Sequence, residues 1–305
     1  MLRKYSVCFS IITLIQLIAC SSLQSPDNGT DQKRKTSLVK AVDSIGSNMK
    51  LALYAKELET GNSISVNGDT AMPMQSTFKF PLALAVLHQC EVQNIRLDTS
   101  IQILAADLTE DTWSPMRDSL GTKSFRLPLK DLLYFVIACS DNIACDVLFR
   151  FCAGPQQVDS FIAKQGYQGI EIHNTEAELH EVWQRQYQNS TSPHAMSDLL
   201  VAFYKEEIVN KEHTDYLTDL MLHNKTGDAR IRAGVPKGTE VADKTGTCYP
   251  ENGPGTINDI AIITLPNGNH LALSVYITDA HVDVDQGQAA IANATRLVYG
   301  YFTGK

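Results

Sequence analysis

The stretch Ser76-Thr77-Phe78-Lys79-Phe80-Pro81-Leu82-Ala83-Leu84-Ala85-Val86-Leu87 decides how the rest of the chain is read. From Phe78 to Leu87 it is apolar on nearly every side of a helix, with Lys79 as its single charge. That pattern predicts a helix buried at the centre of the protein rather than one lying on a surface. Ser76 and Lys79 stand one helical turn apart on the same face, close enough to exchange a proton. Desolvation of a lysine at such depth is the expected route to a base, and a hydroxyl beside a base is the requirement of nucleophilic catalysis. Ser37-Leu38-Val39-Lys40 and Ser47-Asn48-Met49-Lys50 repeat the Ser-x-x-Lys spacing, but neither opens a buried helix.

On either side of this helix the pattern changes. Leu51–Leu58 and Ser63–Val66 are strand-like runs joined by a Gly61-Asn62 turn, and they follow a helix expected to end near Asn48. Near the other terminus Asp259–Leu265 and Leu271–Thr278 flank the hairpin signal Pro266-Asn267-Gly268-Asn269-His270, and a helix is expected from about Asp285 to Tyr301. The middle reads as helices: Asp131–Ala138, Ile143–Phe151 and Ser197–Tyr204 follow the central one. A sheet assembled from both ends of the chain around a helical insertion is an α+β layout of two lobes, with a cleft between them as the place for a site.

Composition narrows the function. The 305 residues are 44% hydrophobic and 20% charged, ordinary for a globular protein with a sizeable core. A net charge of −8 without a long basic run gives no electrostatic footprint for nucleic acid, so the expected partner is a small molecule. Arg3 and Lys4 followed by an apolar run from about Tyr5 to Ala19 predict a signal peptide over 1–20, too short to argue for a spanning helix. Its end, Leu17-Ile18-Ala19-Cys20, resembles a bacterial lipobox, in which Cys20 takes a lipid; plain cleavage in the same small-residue stretch is the alternative. Residues 21–36 are polar and predict a flexible tether, with the folded domain over 37–305. Cys90, Cys139, Cys145, Cys152 and Cys248 remain, an odd number that leaves at least one thiol free, and no spacing fits a zinc site. No metal or cofactor is expected.

Two further motifs complete a chemistry. Ser140-Asp141-Asn142 lies between two predicted helices and reads either as a simple N-cap turn or as a second catalytic serine with a polar neighbour. Lys244-Thr245-Gly246 follows the β-like Thr239-Glu240-Val241-Ala242 closely, whereas the identical Lys225-Thr226-Gly227 follows a helix end, where its glycine reads as a helix stop. Taking the later tripeptide, the order SxxK, SxN, KTG is that of serine enzymes acting on β-lactams.

On these motifs the chain resembles a class A β-lactamase across roughly Lys40 to Tyr301. Thr112-Trp113-Ser114-Pro115-Met116, Gln186-Tyr187-Gln188-Asn189 and Glu251-Asn252-Gly253 resemble the PER/VEB/CfxA-type branch, subclass A2. The resemblance implies a three-layer α-β-α fold, with a five-stranded antiparallel sheet, terminal helices and an all-helical lobe. The α/β lobe would take about 37–75 and 223–305, and the helical lobe about 76–222. It implies Ser76 as nucleophile, Lys79 and Glu176 as bases, Ser140 and Lys244 as proton relay and cation, and an oxyanion hole from the backbone N–H groups of Ser76 and Thr247. It further implies that Asn142 meets the substrate's side-chain amide, that Thr245, Gly246, Thr247 and Arg230 meet its carboxylate, and that Trp113 walls the cleft.

Glu176, in Thr175-Glu176-Ala177-Glu178-Leu179-His180, matches the omega-loop carboxylate that activates the deacylating water, with His180 where an Asn usually helps hold that water. Two habits of the family are missing. Asn174 and Asn189 stand where an Arg–Asp pair usually pins the omega loop, and Ile257-Asn258-Asp259 occupies the place of the usual strand Arg, with Arg230 as its substitute. Gln75 stands where the disulfide partner of Cys248 would be, so Cys248 is expected free. The resemblance implies a monomer, exported and anchored through Cys20, that hydrolyses penicillins and cephalosporins with an extended-spectrum leaning. Two alternatives share the motifs: a penicillin-binding D,D-peptidase lacking the deacylating carboxylate, and a binding or sensor lipoprotein that acylates once.

Overall fold

The structure, a computed structural model, describes residues 28–46, 48–249 and 254–304. Residues 1–27, with the signal segment, Cys20 and the start of the expected tether, lie outside the described residues, as does Glu251-Asn252-Gly253. Helix α1 (Asn28–Ile45) leads into β1 (Lys50–Glu57), β2 (Ser63–Val66) and the two-residue β3 (Met72–Pro73). A 3-10 turn, Gln75–Phe78, then opens α2 (Lys79–Gln93). Next come β4 (Ser100–Ile103), α3 (Pro115–Leu120), β5 (Phe125–Pro128), α4 (Leu129–Ala138), α5 (Asn142–Phe151) and α6 (Pro155–Lys164). They are followed by β6 (Ile170–Glu171), α7 (Glu176–Glu181), β7 (Ser190–Thr191), α8 (Pro193–Tyr204) and α9 (Lys211–Leu222). The one-turn α10 (Ile231–Gly234), β8 (Val241–Cys248), β9 (Gly255–Thr264), β10 (His270–Ala280) and α11 (Val284–Thr303) close the chain.

The main sheet is antiparallel throughout, in the order β2-β1-β10-β9-β8, so strands from both termini interleave as the sequence pattern requires. Both of its faces are covered, which is why β9 and β10 read as nearly continuous apolar runs. Successive residues of β10 still divide by face: Leu271, Leu273 and Val275 join Leu38 and Val42 of α1 and Ile291 and Val298 of α11, while Ala272 and Tyr276 face the core built on α2. Every residue from Lys79 to Leu87 is buried, as a helix apolar all round demands. Asn94 stops α2 in the left-handed conformation, φ 53°.

Two features differ from the sequence reading. Residues 28–36, expected to belong to a tether, are helical, because Gln32, Lys33, Arg34 and Lys35 are good helix formers that prolong the α1 turn docked by Leu38 and Val42. Tyr301 of α11 secures this end by donating to Asp31 Oδ1 at 3.1 Å, with Arg34 5.6 Å over its ring. Two short sheets are also absent from that reading: β4 with β5 in the helical lobe, and β3-β7-β6, which joins the segment before Ser76 to that lobe.

Candidate active site

The turn that carries Ser76 is held from beneath. Gln75 has φ 48°, a conformation non-glycine residues rarely adopt, and it turns the chain sharply enough to raise Ser76 at the mouth of α2. Thr77 donates to Met74 O at 2.7 Å, and Asn258 of β9 donates to Pro73 O at 2.8 Å and Met74 O at 2.9 Å, tying the turn to the sheet. Lys79 is fully buried, and its Nζ is ringed by acceptors: Ser76 Oγ at 3.1 Å, Ser140 O at 2.8 Å, Asn142 Oδ1 at 2.6 Å and Glu176 Oε1 at 2.7 Å. By contrast Ser37 and Lys40 are exposed on α1, Lys50 pairs with Asp279 at the surface, and Ser47 lies outside the described residues.

The N-cap reading of Ser140-Asp141-Asn142 holds for its middle residue. Asp141 caps α5, accepting from Ala144 N at 2.8 Å, and also accepts from Met116 N at 2.7 Å and from Ser114 Oγ, so it locks α3 to α5. Its neighbours face the cleft. Ser140 is strained, φ 54°, and its Oγ accepts from Lys244 Nζ at 2.9 Å; Asn142 donates to Thr112 Oγ1 at 2.9 Å while accepting from Lys79.

Strand β8, an edge of the sheet, carries Lys244, Thr245, Gly246 and Thr247 past Ser76. A Cβ on Gly246 would stand 2.7 Å from Met74 O and 3.1 Å from Ser76 N, so only glycine lets the strand approach. Lys244 is fully buried, and desolvation, reinforced by the nearby Lys79 charge, lowers its pKa to about 7. Arg230 is also buried: Nη1 donates to Gly246 O at 3.1 Å and Asn258 O at 2.9 Å, Nη2 donates to Thr247 Oγ1 at 2.6 Å, and Nε has no partner. Burial lowers its pKa.

Trp113, 59% exposed, donates to Cys139 O at 3.0 Å and stands at the rim. A cavity of about 310 Å3 is lined by Ser76, Trp113, Ser140, Asn142, Thr226, Arg230, Thr245 and Thr247. Thr226, from the Lys-Thr-Gly set aside as a helix stop, is thus part of the cleft, with Oγ1 2.6 Å from Thr245 Oγ1. Gly227, φ 83°, lies beyond the end of α9 at Leu222 and does not stop it.

On the opposite wall Glu176 begins α7, with Oε1 3.3 Å from Ser76 Oγ. Asp146, one turn beyond Asn142 on α5, holds this helix start: Oδ1 accepts from Glu176 N at 2.7 Å and Oδ2 from Ala177 N at 2.9 Å. Desolvation and the Glu176 carboxylate push the Asp146 pKa up to about 7. Asn189 Oδ1 accepts from His173 N and Asn174 N, both at 2.9 Å, and its Nδ2 returns a bond to Asn174 O at 2.9 Å, so amide bonds tie the loop at the places of the absent ion pair. His180 is exposed on α7 and lines a second cavity together with Glu176 and Asn142, away from direct contact with Ser76.

Cys248 is free, as are the other four cysteines among the described residues, and burial raises its pKa to about 11. Among the described residues no group of three or more His, Cys, Asp or Glu is arranged to hold a metal, and no helix is long and apolar enough to cross a membrane.

Comparison with known proteins matches this geometry to a family. The model described as the beta-lactamase enzyme family matches residues 35–302. The chain is 33% identical over 247 residues to beta-lactamase VEB-1 of Pseudomonas aeruginosa, covering 80% of this chain and 82% of that one. It is 32% identical over 237 residues to the extended-spectrum beta-lactamase PER-1 of the same organism, covering 77% of each. Among solved structures it superposes on TLA-3 extended-spectrum beta-lactamase with a TM-score of 0.86 at 37% identity, covering 88% of this chain and 99% of that one.

Proposed function

This chain belongs to the β-lactamase enzyme family as a class A member, and on that premise we propose that Ser76, Lys79 and Glu176 open the β-lactam ring through an ester on Ser76. It is a serine β-lactamase, and its activity removes β-lactam antibiotics. The observation that carries the residue roles is Ser76 Oγ standing 3.1 Å from Lys79 Nζ and 3.3 Å from Glu176 Oε1, one hydroxyl between a cation and a carboxylate.

In the first half of the cycle Ser76 Oγ bonds to the lactam carbonyl carbon and its proton goes to Glu176. Lys79, with its Nζ 3.1 Å from the same Oγ, is a second route for that proton. The backbone N–H groups of Ser76 and Thr247 hold the oxyanion, a device worth about 10²–10³ in rate per donor. The lactam C–N bond then breaks, and the nitrogen takes a proton through Ser140, whose Oγ is held by Lys244. Glu176, with His180 helping to position the water, draws a proton from that water as it cleaves the ester, which restores Ser76 and releases the ring-opened acid. Asn142 receives the side-chain amide. Arg230, Thr245, Gly246 and Thr247 receive the carboxylate, and Trp113 walls the cleft.

An omega loop tied by the Asn174–Asn189 amides rather than by an ion pair supports an extended-spectrum reading that includes bulky oxyimino cephalosporins. The apolar segment after Arg3 and Lys4 supports export, with a lipid on Cys20 and a monomeric enzyme facing its substrate outside the cytoplasm. Purified protein mixed with a chromogenic cephalosporin tests the function. Many turnovers per molecule are expected; one equivalent of product, or slow leakage after a burst, would instead indicate a sensor or a D,D-peptidase.

A further inference from the structure

We propose that the second cavity, beside Ser76, receives the substrate's acylamino side chain and selects cationic side chains over anionic ones. This rests on the β-lactamase reading above and specifies which substrates the site prefers. The cavity holds about 370 Å3, enough for an aryl side chain, between the 106–112 loop, α5 and α7. Asn142 lines both this cavity and the one that contains Ser76, so it stands between them where the side-chain amide would sit.

Its charge is lopsided. Asp107, Asp111, Asp146, Glu176 and Glu181 line it, against Arg150 as the lining cation. Arg150 is already engaged, donating to Asp107 Oδ1 at 2.8 Å and Oδ2 at 3.0 Å, and Glu176 is held by Lys79 at 2.7 Å. Asp111 makes no hydrogen bond or ion pair with a described residue, and Glu181, itself exposed, has only the half-buried Arg185 at 3.1 Å. Asp146 adds negative charge whenever it ionises. An excess of one sign in a walled cleft focuses the field, attracting an ammonium and repelling a carboxylate carried by the same side chain.

The test uses three penicillins that share a phenylacetyl-type side chain: unsubstituted benzylpenicillin, ampicillin with an α-ammonium, and carbenicillin with an α-carboxylate. With the full-length enzyme, kcat/KM should rank ampicillin above benzylpenicillin above carbenicillin, and added salt should narrow the spread, since exposed charges are screened. In Asp111→Asn/Glu181→Gln the ampicillin-to-carbenicillin ratio should fall by about tenfold, and Asp111→Lys, a change at an exposed position, should push it lower still. A ratio that neither variant nor salt moves would overturn the charge selection while leaving the β-lactamase reading intact. Hydrolysis of none of the three, with no adduct on Ser76, would overturn that reading and this inference together.

Discussion

Lys244 Nζ donates to Ser140 Oγ at 2.9 Å, joining the edge strand of the sheet to the strained turn between α4 and α5. Both partners are buried, and the lysine's pKa has fallen to about 7. A lysine with a lowered pKa is cationic below that value and neutral above it, so binding of a carboxylate-bearing lactam weakens as pH rises through about 7. The expected profile of kcat/KM therefore has an alkaline limb near neutrality. The limb of kcat should lie higher, because the bound substrate carboxylate restores the ammonium. Arginine stays charged, so Lys244→Arg should lose the limb near 7. A wild-type kcat/KM flat from about pH 6 to about pH 9 would contradict this.

Glu176→Gln keeps the shape of the α7 start, because Asp146 bonds the Glu176 backbone and not its side chain. It removes the proposed base of deacylation, a loss that typically costs about 10²–10⁴ in rate. Deacylation should suffer most, so intact-mass measurement should find protein plus one whole lactam on Ser76, with little of it in wild type at steady state. His180→Ala should slow deacylation less, since the proton acceptor survives. Full turnover in Glu176→Gln without a trapped adduct would move the base to another acid.

Arg230 offers a buried guanidinium whose hydrogen bonds go to carbonyls and a hydroxyl, with Asp259 and Asp243 acting on it only through their charge, so it has no ion-pair partner to give up to a substrate. Arg230→Ala should lower kcat/KM for carboxylate-bearing lactams by about 1.5–3 kcal/mol, the worth of a charged hydrogen bond. Arg230→Lys should recover part of the loss. Unchanged kinetics in the alanine variant would take Arg230 out of the site.

Cys20 directly ends the apolar run and precedes a polar segment, the arrangement of a lipid-bearing cysteine. Cys20→Ala should shift the enzyme from the membrane fraction to the soluble one or block its processing. Wild-type protein already soluble, with an N-terminus other than residue 20, would refute the anchor.

What the sequence disclosed depended on how local each cause is. Ser76 with Lys79, and Lys244 beside a strand pattern, are legible because one helical turn or one strand places each motif. Thr226 escaped because its role arises only when the chain after α9 folds back on β8, bringing it to Thr245. Asp146 escaped for the same reason, its partners being backbone N–H groups of a distant loop. Asn258 read only as a missing arginine, whereas its amide braces the nucleophile turn through Pro73 and Met74. The burial of Arg230 against carbonyls of β8 and β9 is likewise announced by no local pattern.

Asp146 provides a test in stability rather than rate. Its carboxyl has a folded pKa of about 7, against an ordinary value of 3.8, so folding favours the protonated form. Below about pH 4 both folded and unfolded chains hold the proton and no penalty exists. Between there and about 7 the unfolded chain releases the proton more readily, so stability falls as pH rises, and above about 7 the penalty is complete. Two backbone N–H donors keep it to a few kcal/mol at most, by the conversion of roughly 1.4 kcal/mol per pKa unit. Asp146→Asn carries no titrating group but offers one oxygen to two donors, which costs about 1 kcal/mol at every pH. The variant should thus melt below wild type near pH 4 and gain on it steadily toward pH 8, by several degrees at roughly 2–4 °C per kcal/mol. Thermal melts of both proteins across that range give the difference directly, and melting curves that run parallel with pH would show that Asp146 is already ionised when it holds Glu176 in place.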